Sequence, residues 1–244
     1  MSRAVAMRGL GWSVAIVLLL LPVVALLEGW VAKSSWPVRS LRVDAPFTRV
    51  SAEQIRAVVT PLLKDGFFAV NLGELRRRVA ALPWVAKVEV RKRWPDQLDV
   101  RVTEQRAFAR WNGTALINGE GQRFVVPAID ALAGLPDLSG PDERLPDVVA
   151  FFVDNRQRFA RIGRTVTGAH LSDRSAWQLD LDGGARLFVG RNRPAQRLAR
   201  FVDSYRALMQ GHAGSFEYVD LRYTNGYAVR WPTTAAPATE SPKA

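Results

Sequence analysis

The chain has 244 residues, 48% of them apolar, with 34 Lys and Arg against 23 Asp and Glu and a formal net charge of +11. The absence of cysteine excludes disulfide staples and thiolate metal sites, and the length and apolar share suit one or two domains with cores of their own. The positive excess suits an anionic partner such as a membrane surface, an acidic protein or nucleic acid, but the arginines are spread along the chain instead of forming the basic stripe that nucleic-acid binding requires.

From Gly9 to Leu27, "GLGWSVAIVLLLLPVVALL", nineteen residues carry no charge, which meets the roughly 18–20 residues needed for a helix to cross the hydrocarbon. Arg3 and Arg8 precede the run, and Glu28 and Lys33 follow it. Arginines on a short leading tail keep that tail in the cytoplasm and send the following chain outward. The expected organisation is a cytoplasmic tail over 1–8 and a transmembrane helix over 9–32, with Trp12, Trp30 and Trp36 at interfacial positions. A cleaved signal peptide competes with this, but its apolar core is usually about 7–15 residues and ends at a small-x-small site. Here "GWVAK" places Trp30 where a small residue belongs.

Across 36–105 the hydrophobic period changes repeatedly. "VRSLRVDA" (Val38–Ala45) alternates like a strand. Ser51 opens a helix with Glu53 in its first turn and Ile55, Val58, Val59, Leu62 and Leu63 at helical spacing. Asn71 can cap a second helix, in which Leu72, Leu75, Val79 and Leu82 share a face until Pro83. "WVAKVEVRKRW" (Trp84–Trp94) and "LDVRVTEQ" (Leu98–Gln105) alternate again around the turn "PDQ". The predicted order is β-α-α-β-β, with Trp84 and Trp94 sealing the hairpin against the helices and Lys87, Arg91 and Arg93 on a solvated face.

Across 106–232, "TALINGEGQRFV" reads as two short strands around Asn118–Gly121, followed by a loop rich in Pro and Gly. "VVAFFVDNRQRFARIG" lines up Val148, Val149, Phe152, Phe159 and Ile162 as one helical face. Strands return in "RTVTGAHL" and "AWQLDLDGGARLFVG". A helix over Pro194–Met209 then turns Leu198, Phe201, Val202, Tyr205 and Leu208 inward and leaves Arg197, Arg200 and Arg206 wet. The fold class is α+β: a transmembrane helix, a β-α-α-β-β domain, then a curved antiparallel sheet with helices on one side. A disordered tail over 233–244 ends it.

The β-α-α-β-β order resembles a POTRA module, a small domain associated with polypeptide transport and docking. The segment "LPWVAKVEVRKRWPDQLDVRVTEQRAFARW", with Val102, Glu104, Ala107, Ala109 and Trp111, resembles the FtsQ/DivIB family of division proteins, as do "SAWQLDL", "LFVG", "RLARFV" and "YVDLRYTNGYAVRW" in the same order. The resemblance runs from the apolar segment to Trp231. It implies a non-enzymatic inner-membrane scaffold, periplasmic in its bulk and concentrated at the division septum. The alternative is a POTRA-type periplasmic adaptor for polypeptide export or outer-membrane assembly.

No catalytic constellation is legible, and neither cofactor nor metal is expected. His170 and His212 lack Cys, Asp or Glu at ligand spacing, and Asp180 and Asp182 lack the further oxygen donors of a calcium loop. A wall-active enzyme is the rival class, without named catalytic groups to support it.

The closing stretch "FEYVDLRYTNGYAVRWP" (Phe216–Pro232) reads as a hairpin with no later strand to cover its last arm. A two-residue Asn-Gly turn would set Leu221 opposite Arg230. A three-residue Thr224–Gly226 loop sets Leu221 opposite Val229, Tyr223 opposite Tyr227 and Asp220 opposite Arg230, sorting apolar from charged. The second register is the expected one. The arm Tyr227–Trp231 is then either an open edge able to take a foreign strand or paired with an earlier strand of its own domain. The family resemblance favours the open edge as the docking site for FtsB, in a complex with FtsL. It implies contacts at Tyr223, Asn225, Gly226, Tyr227, Val229 and Trp231, with Arg174 and Arg222 pairing with an acidic residue of the partner.

Overall fold

The computed structural model describes residues 21, 36–210 and 216–232. The expected tail over 1–8, the apolar span apart from Leu21, His212 and the tail over 233–244 lie outside the described residues. Among the described residues no helix is long and apolar enough to cross a membrane. The chain divides into two units, between Gln105 and Arg106.

In unit 1 the elements are β1 (Ser40–Asp44), α1 (Ala52–Val59), α2 (Leu72–Ala80), β2 (Val85–Arg93) and β3 (Gln97–Glu104), the order read from the hydrophobic periods. The sheet order is β1-β3-β2. β2 and β3 form an antiparallel hairpin with Val88 opposite Val102, and β1 runs parallel to β3 with Leu41 opposite Leu98. A parallel pair needs a crossover, which α1 and α2 provide. Both helices start where short-range sequence says they should. Ser51 closes a capping box whose partner is Gln54 rather than the neighbouring acid Glu53, and Asn71 accepts from the Glu74 N–H. Ile55, Val59, Leu75 and Val79 pack on Val88, Leu98, Val100 and Val102, each fully buried aliphatic side chain stabilising by about 1.5–3 kcal/mol. Glu104 adds a long-range brace: its carboxylate accepts the N–H groups of Thr48, Arg49 and Val50 at 3.0–3.1 Å.

One expectation fails here. Trp84 is partly covered, with the Arg49 guanidinium 4.8 Å from its ring centroid, but Trp94 is 73% exposed and seals nothing. It sits past the last residue of β2, in the turn to β3. Lys87, Arg91 and Arg93 do lie on the solvated face, 2.9–3.8 Å from Glu89 or Asp99.

Unit 2 comprises β4 (Ala107–Trp111), β5 (Ala115–Asn118), β6 (Arg123–Phe124), β7 (Asp137–Ser139), α3 (Leu145–Ala160), β8 (Val166–Leu171), β9 (Trp177–Leu181), β10 (Arg186–Gly190), α4 (Pro194–Met209), β11 (Tyr218–Asp220) and β12 (Ala228–Arg230). They build one sheet in the order β12-β11-β10-β9-β8-β7-β4-β5-β6. The expectation of a purely antiparallel sheet is corrected: β10 with β11, β7 with β8, and β4 with β7 are parallel. The first two parallel contacts follow from the helices, since α3 joins β7 to β8 and α4 joins β10 to β11, each serving as a crossover. Both helices feed one core on one face of the sheet. Val148, Phe152, Phe159, Leu198 and Phe201 meet Leu138, Ala169, Leu179, Leu187 and Val219 there, and the rings of Phe159 and Phe201 stack at 6.1 Å.

β7 and β8 approach closely enough that a Cβ at Gly168 would stand 2.8 Å from the Asp137 carbonyl oxygen, so that contact requires glycine. The motif residues Ala109 and Trp111 are fully buried in the same core, with Trp111 Nε1 donating to Asp142 Oδ1 at 2.7 Å.

A candidate protein-docking edge

The outermost strand at one margin of the large sheet is β12. It pairs with β11 on one side, and among the described residues no strand pairs with the other. The register differs from the expected one. Tyr218 faces Arg230, Val219 faces Val229 and Asp220 faces Ala228, a slip of two residues. A slip of two preserves which side chains share a face, so the apolar-against-apolar argument holds while the loop is longer than the three residues expected.

The reason lies in α4. After Asp220 the chain leaves the hairpin ladder: the Leu221 N–H donates to Phe188 O on β10, and the Arg222 N–H donates to Asp220 Oδ1. Arg197 then donates to Val189 O at 2.8 Å and Arg222 O at 2.9 Å, and Arg200 donates to Thr224 O at 2.9 Å and Tyr223 O at 3.4 Å. Two guanidinium groups expected to be wet instead hold the carbonyls of Arg222, Tyr223 and Thr224 in the loop and that of Val189 on β10. Gly190, at φ 78°, makes room for the side chains of Arg197 and Arg222, since a Cβ there would lie 2.9 Å from Arg197 Nη1 and 3.0 Å from Arg222 Cγ.

The predicted contact residues separate into three groups. Tyr223, 58% exposed, and Asn225 project from the loop, beside a half-exposed Gly226. Tyr227, Val229 and Trp231 are half-buried and turn inward: the Tyr227 hydroxyl bonds Ser204 Oγ at 2.7 Å, its ring lies 5.6 Å from Phe201, and Trp231 lies edge-on to Phe216 at 6.5 Å. At those three positions the backbone, more than the side chain, is what the margin offers. Arg222 is already engaged. Its Nε and Nη2 bind the two Asp220 carboxylate oxygens at 2.8 and 2.6 Å, and its guanidinium lies 5.9 Å from the Phe188 ring centroid. The hydrogen bonds from Arg222 hold the Asp220 carboxyl below its ordinary value, and the pair raises the Arg222 pKa in turn. Arg174 is exposed in the β8–β9 turn, whose flanking Ser172 and Ala176 line the same shallow depression as Phe188, Gly190 and Arg222. The two predicted arginines therefore belong to one end of the sheet. A second, basic cleft beside the loop is lined by Arg191, Arg193, Arg197, Arg200 and Thr224.

On the face of the sheet away from the helices, Ser139, His170 and Asp180 form a hydrogen-bonded string. Ser139 Oγ lies 2.8 Å from His170 Nδ1, and His170 Nε2 lies 2.9 Å from Asp180 Oδ2. Sequence reasoning missed it because the three residues come from β7, β8 and β9, brought side by side only by the sheet. Burial pushes the Asp180 carboxyl up, but hydrogen bonds from His170 and Gln178 outweigh this and leave it lowered. Acyl transfer would also need donors aimed at an oxyanion, and the N–H following Ser139, that of Gly140, is held by Asn112 Oδ1. The string reads as a polar ladder across three strands.

A three-stranded unit with two crossover helices, followed by a nine-stranded mixed sheet whose edge strands among the described residues are β12 and β6, defines a two-unit mixed α/β protein. Residues 36–105 match the family described as "POTRA domain, FtsQ-type", and residues 109–222 match "Cell division protein FtsQ/DivIB, C-terminal". "Cell division protein FtsQ" of Xanthomonas campestris is 41% identical over 223 residues, covering 91% of this chain and 80% of that protein. The protein of the same name from Coxiella burnetii is 34% identical, covering 88% of this chain and 90% of its own, and that from Methylomonas methanica is 30% identical, covering 81% and 79%. The chain belongs to the FtsQ/DivIB family. The second family match ends at Arg222, so β12 lies beyond it.

Proposed function

We propose that the chain is a non-enzymatic, single-pass inner-membrane scaffold of the bacterial divisome. Its N-terminus is cytoplasmic and its bulk periplasmic, and it binds FtsB, within a complex that includes FtsL, by adding a strand of the partner to β12. The observation that supports this most directly is that β12 has a neighbour on one side only among the described residues. An exposed margin of this kind is normally blunted by charge, proline or a covering element. Pro232 follows the strand and Arg230, 3.2 Å from Glu217, lies within it, but among the described residues no further strand pairs with the outer side of β12. Strand addition draws affinity from backbone hydrogen bonds, and side chains select the partner. Tyr223 and Asn225 are exposed for that selection, and the arginines around the loop suit an acidic partner segment.

Hydrogen exchange on the full-length chain in detergent tests the reading. Adding a periplasmic FtsB peptide is expected to slow exchange at Ala228–Arg230, and Tyr223→Ala or Arg222→Glu is expected to weaken binding far more than a change at Arg91. Exchange at β12 that the peptide leaves unchanged would remove strand addition. In cells, depletion is expected to give filaments, whereas a defect confined to outer-membrane proteins would point to an export adaptor.

A further inference from the structure

Across residues 36–105 the large aliphatic side chains are covered but four large aromatic ones are exposed, three of them at one end, Trp36 at 42%, Phe68 at 50% and Trp94 at 73%, and a single one, Phe47 at 46%, at the other. The first three sit on three separate segments that are braced together. The Phe67 N–H donates to Trp36 O at 2.8 Å, Lys92 Nζ donates to Phe68 O at 2.9 Å, and the N–H groups of Arg39 and Ser40 donate to Asp96 O at 3.0 and 3.4 Å. Trp36 stands edge-on to Phe68 at 6.2 Å, and Phe68 edge-on to Phe67 at 5.3 Å. The rings are thus presented on a framework of fixed loops. Exposed Arg39, Lys64 and Arg93 accompany them, Arg39 3.8 Å from Asp96 and Arg93 3.5 Å from Asp99, with Asp65 exposed beside Lys64.

Two observations identify what faces this end. Leu27, the last residue of the uncharged run, and Trp36 are nine positions apart, so the connecting chain reaches at most ~30 Å. The aromatic end is therefore the end tethered to that run. The opposite end of the sheet, where Phe47 lies next to the Glu104 brace, is a further eight-residue strand away. Tryptophan combined with arginine and lysine is also the composition of a membrane–water boundary, where an amphipathic ring sits at headgroup level and a cation reaches phosphate.

We propose that this end of unit 1 rests on the phospholipid surface, with Trp36, Phe68 and Trp94 seated among the headgroups and Arg39, Lys64 and Arg93 directed at lipid phosphates. The inference builds on the membrane-anchored reading given above. It makes unit 1 a foot with a defined orientation on the bilayer instead of a module swinging freely on its tether.

The test uses the absence of cysteine. Phe68→Cys and Phe47→Cys each place a single thiol in the full-length chain, for a fluorophore at the aromatic end or at the opposite end. The chain is reconstituted into vesicles of phosphatidylethanolamine and phosphatidylglycerol carrying a headgroup-level nitroxide lipid as quencher. Quenching at position 68 is expected to exceed that at 47 by about twofold or more, as for a group held at the interface. Adding Trp36→Ala and Trp94→Ala is expected to bring it down toward the value at 47. Equal quenching at the two positions in chains that float with the vesicles overturns the docking and leaves the anchor standing. Failure to float overturns both. Position 68 shielded from aqueous iodide but untouched by the lipid quencher would assign the patch to a protein contact and overturn the proposal.

Discussion

The two units carry comparable runs of arginine and use them in opposite ways. In unit 1, Arg91 and Arg93 stand on an open sheet face, 80% and 62% exposed, with acids 3.5–3.8 Å away. Such pairs are worth about 0–1 kcal/mol because water screens them. In unit 2, Arg197 and Arg200 reach from α4 across to four backbone carbonyls and decide where the last hairpin turns. Arg164, only 10% exposed, binds Asp182, the Tyr205 hydroxyl and, at 5.3 Å, the Phe216 ring. The same residue type is surface dressing in one unit and framework in the other. The difference is whether a planar cation finds backbone carbonyls to fork between or only the mobile carboxylate of a neighbouring side chain.

The largest expected effect falls on the ring cluster packed against the hairpin of β11 and β12. Phe201 touches Phe159, Tyr205, Phe216 and Tyr227, and Phe201→Ala is expected to destabilise unit 2 by about 3–5 kcal/mol. Amide exchange should then rise over β11 and β12 and stay unchanged over β2 and β3. Next, Arg197→Ala is expected to cost about 2 kcal/mol in urea unfolding, because it removes two charge-assisted bonds to carbonyls. Arg91→Ala should fall within about 0.5 kcal/mol of the parent, and equal losses at the two sites would dissolve the contrast between the units.

The smallest effect is expected from pH. Asp220 is held low by its bonds from Arg222, and in Asp182 the bonds from Arg164 and the Thr165 N–H outweigh burial, which pushes it up. Both carboxyls therefore take up a proton more readily once unfolded, so the stability they contribute is present above the ordinary value of 3.8 and lost as pH falls through their lower folded values. The urea midpoint should drop with acidification in that range, and Asp220→Asn should flatten the drop.

Unit 1 was legible because its signals are local. Ser51 and Asn71 cap helices that begin at the next residue, and the period changes from two to 3.6 and back where β1, α1, α2 and β2 alternate. The limits of α4 and the inward line through Leu198 and Phe201 were readable for the same reason. The parallel pairing of β7 with β8 and β10 with β11 was not, because alternation along one strand says nothing about the direction of its neighbour.

In the stretch Phe216–Pro232, the sequence by itself determined that two strands form a hairpin, that Tyr227, Val229 and Trp231 share its apolar face, and that its arms pair apolar with apolar. Tertiary structure alone decided the register and the length of the loop, the pairing of Arg222 with Asp220, and the string from Ser139 to Asp180. Periodicity survives any slip of two residues. Only the helix that crosses behind the hairpin, with arginines long enough to reach its carbonyls, distinguishes one such slip from another.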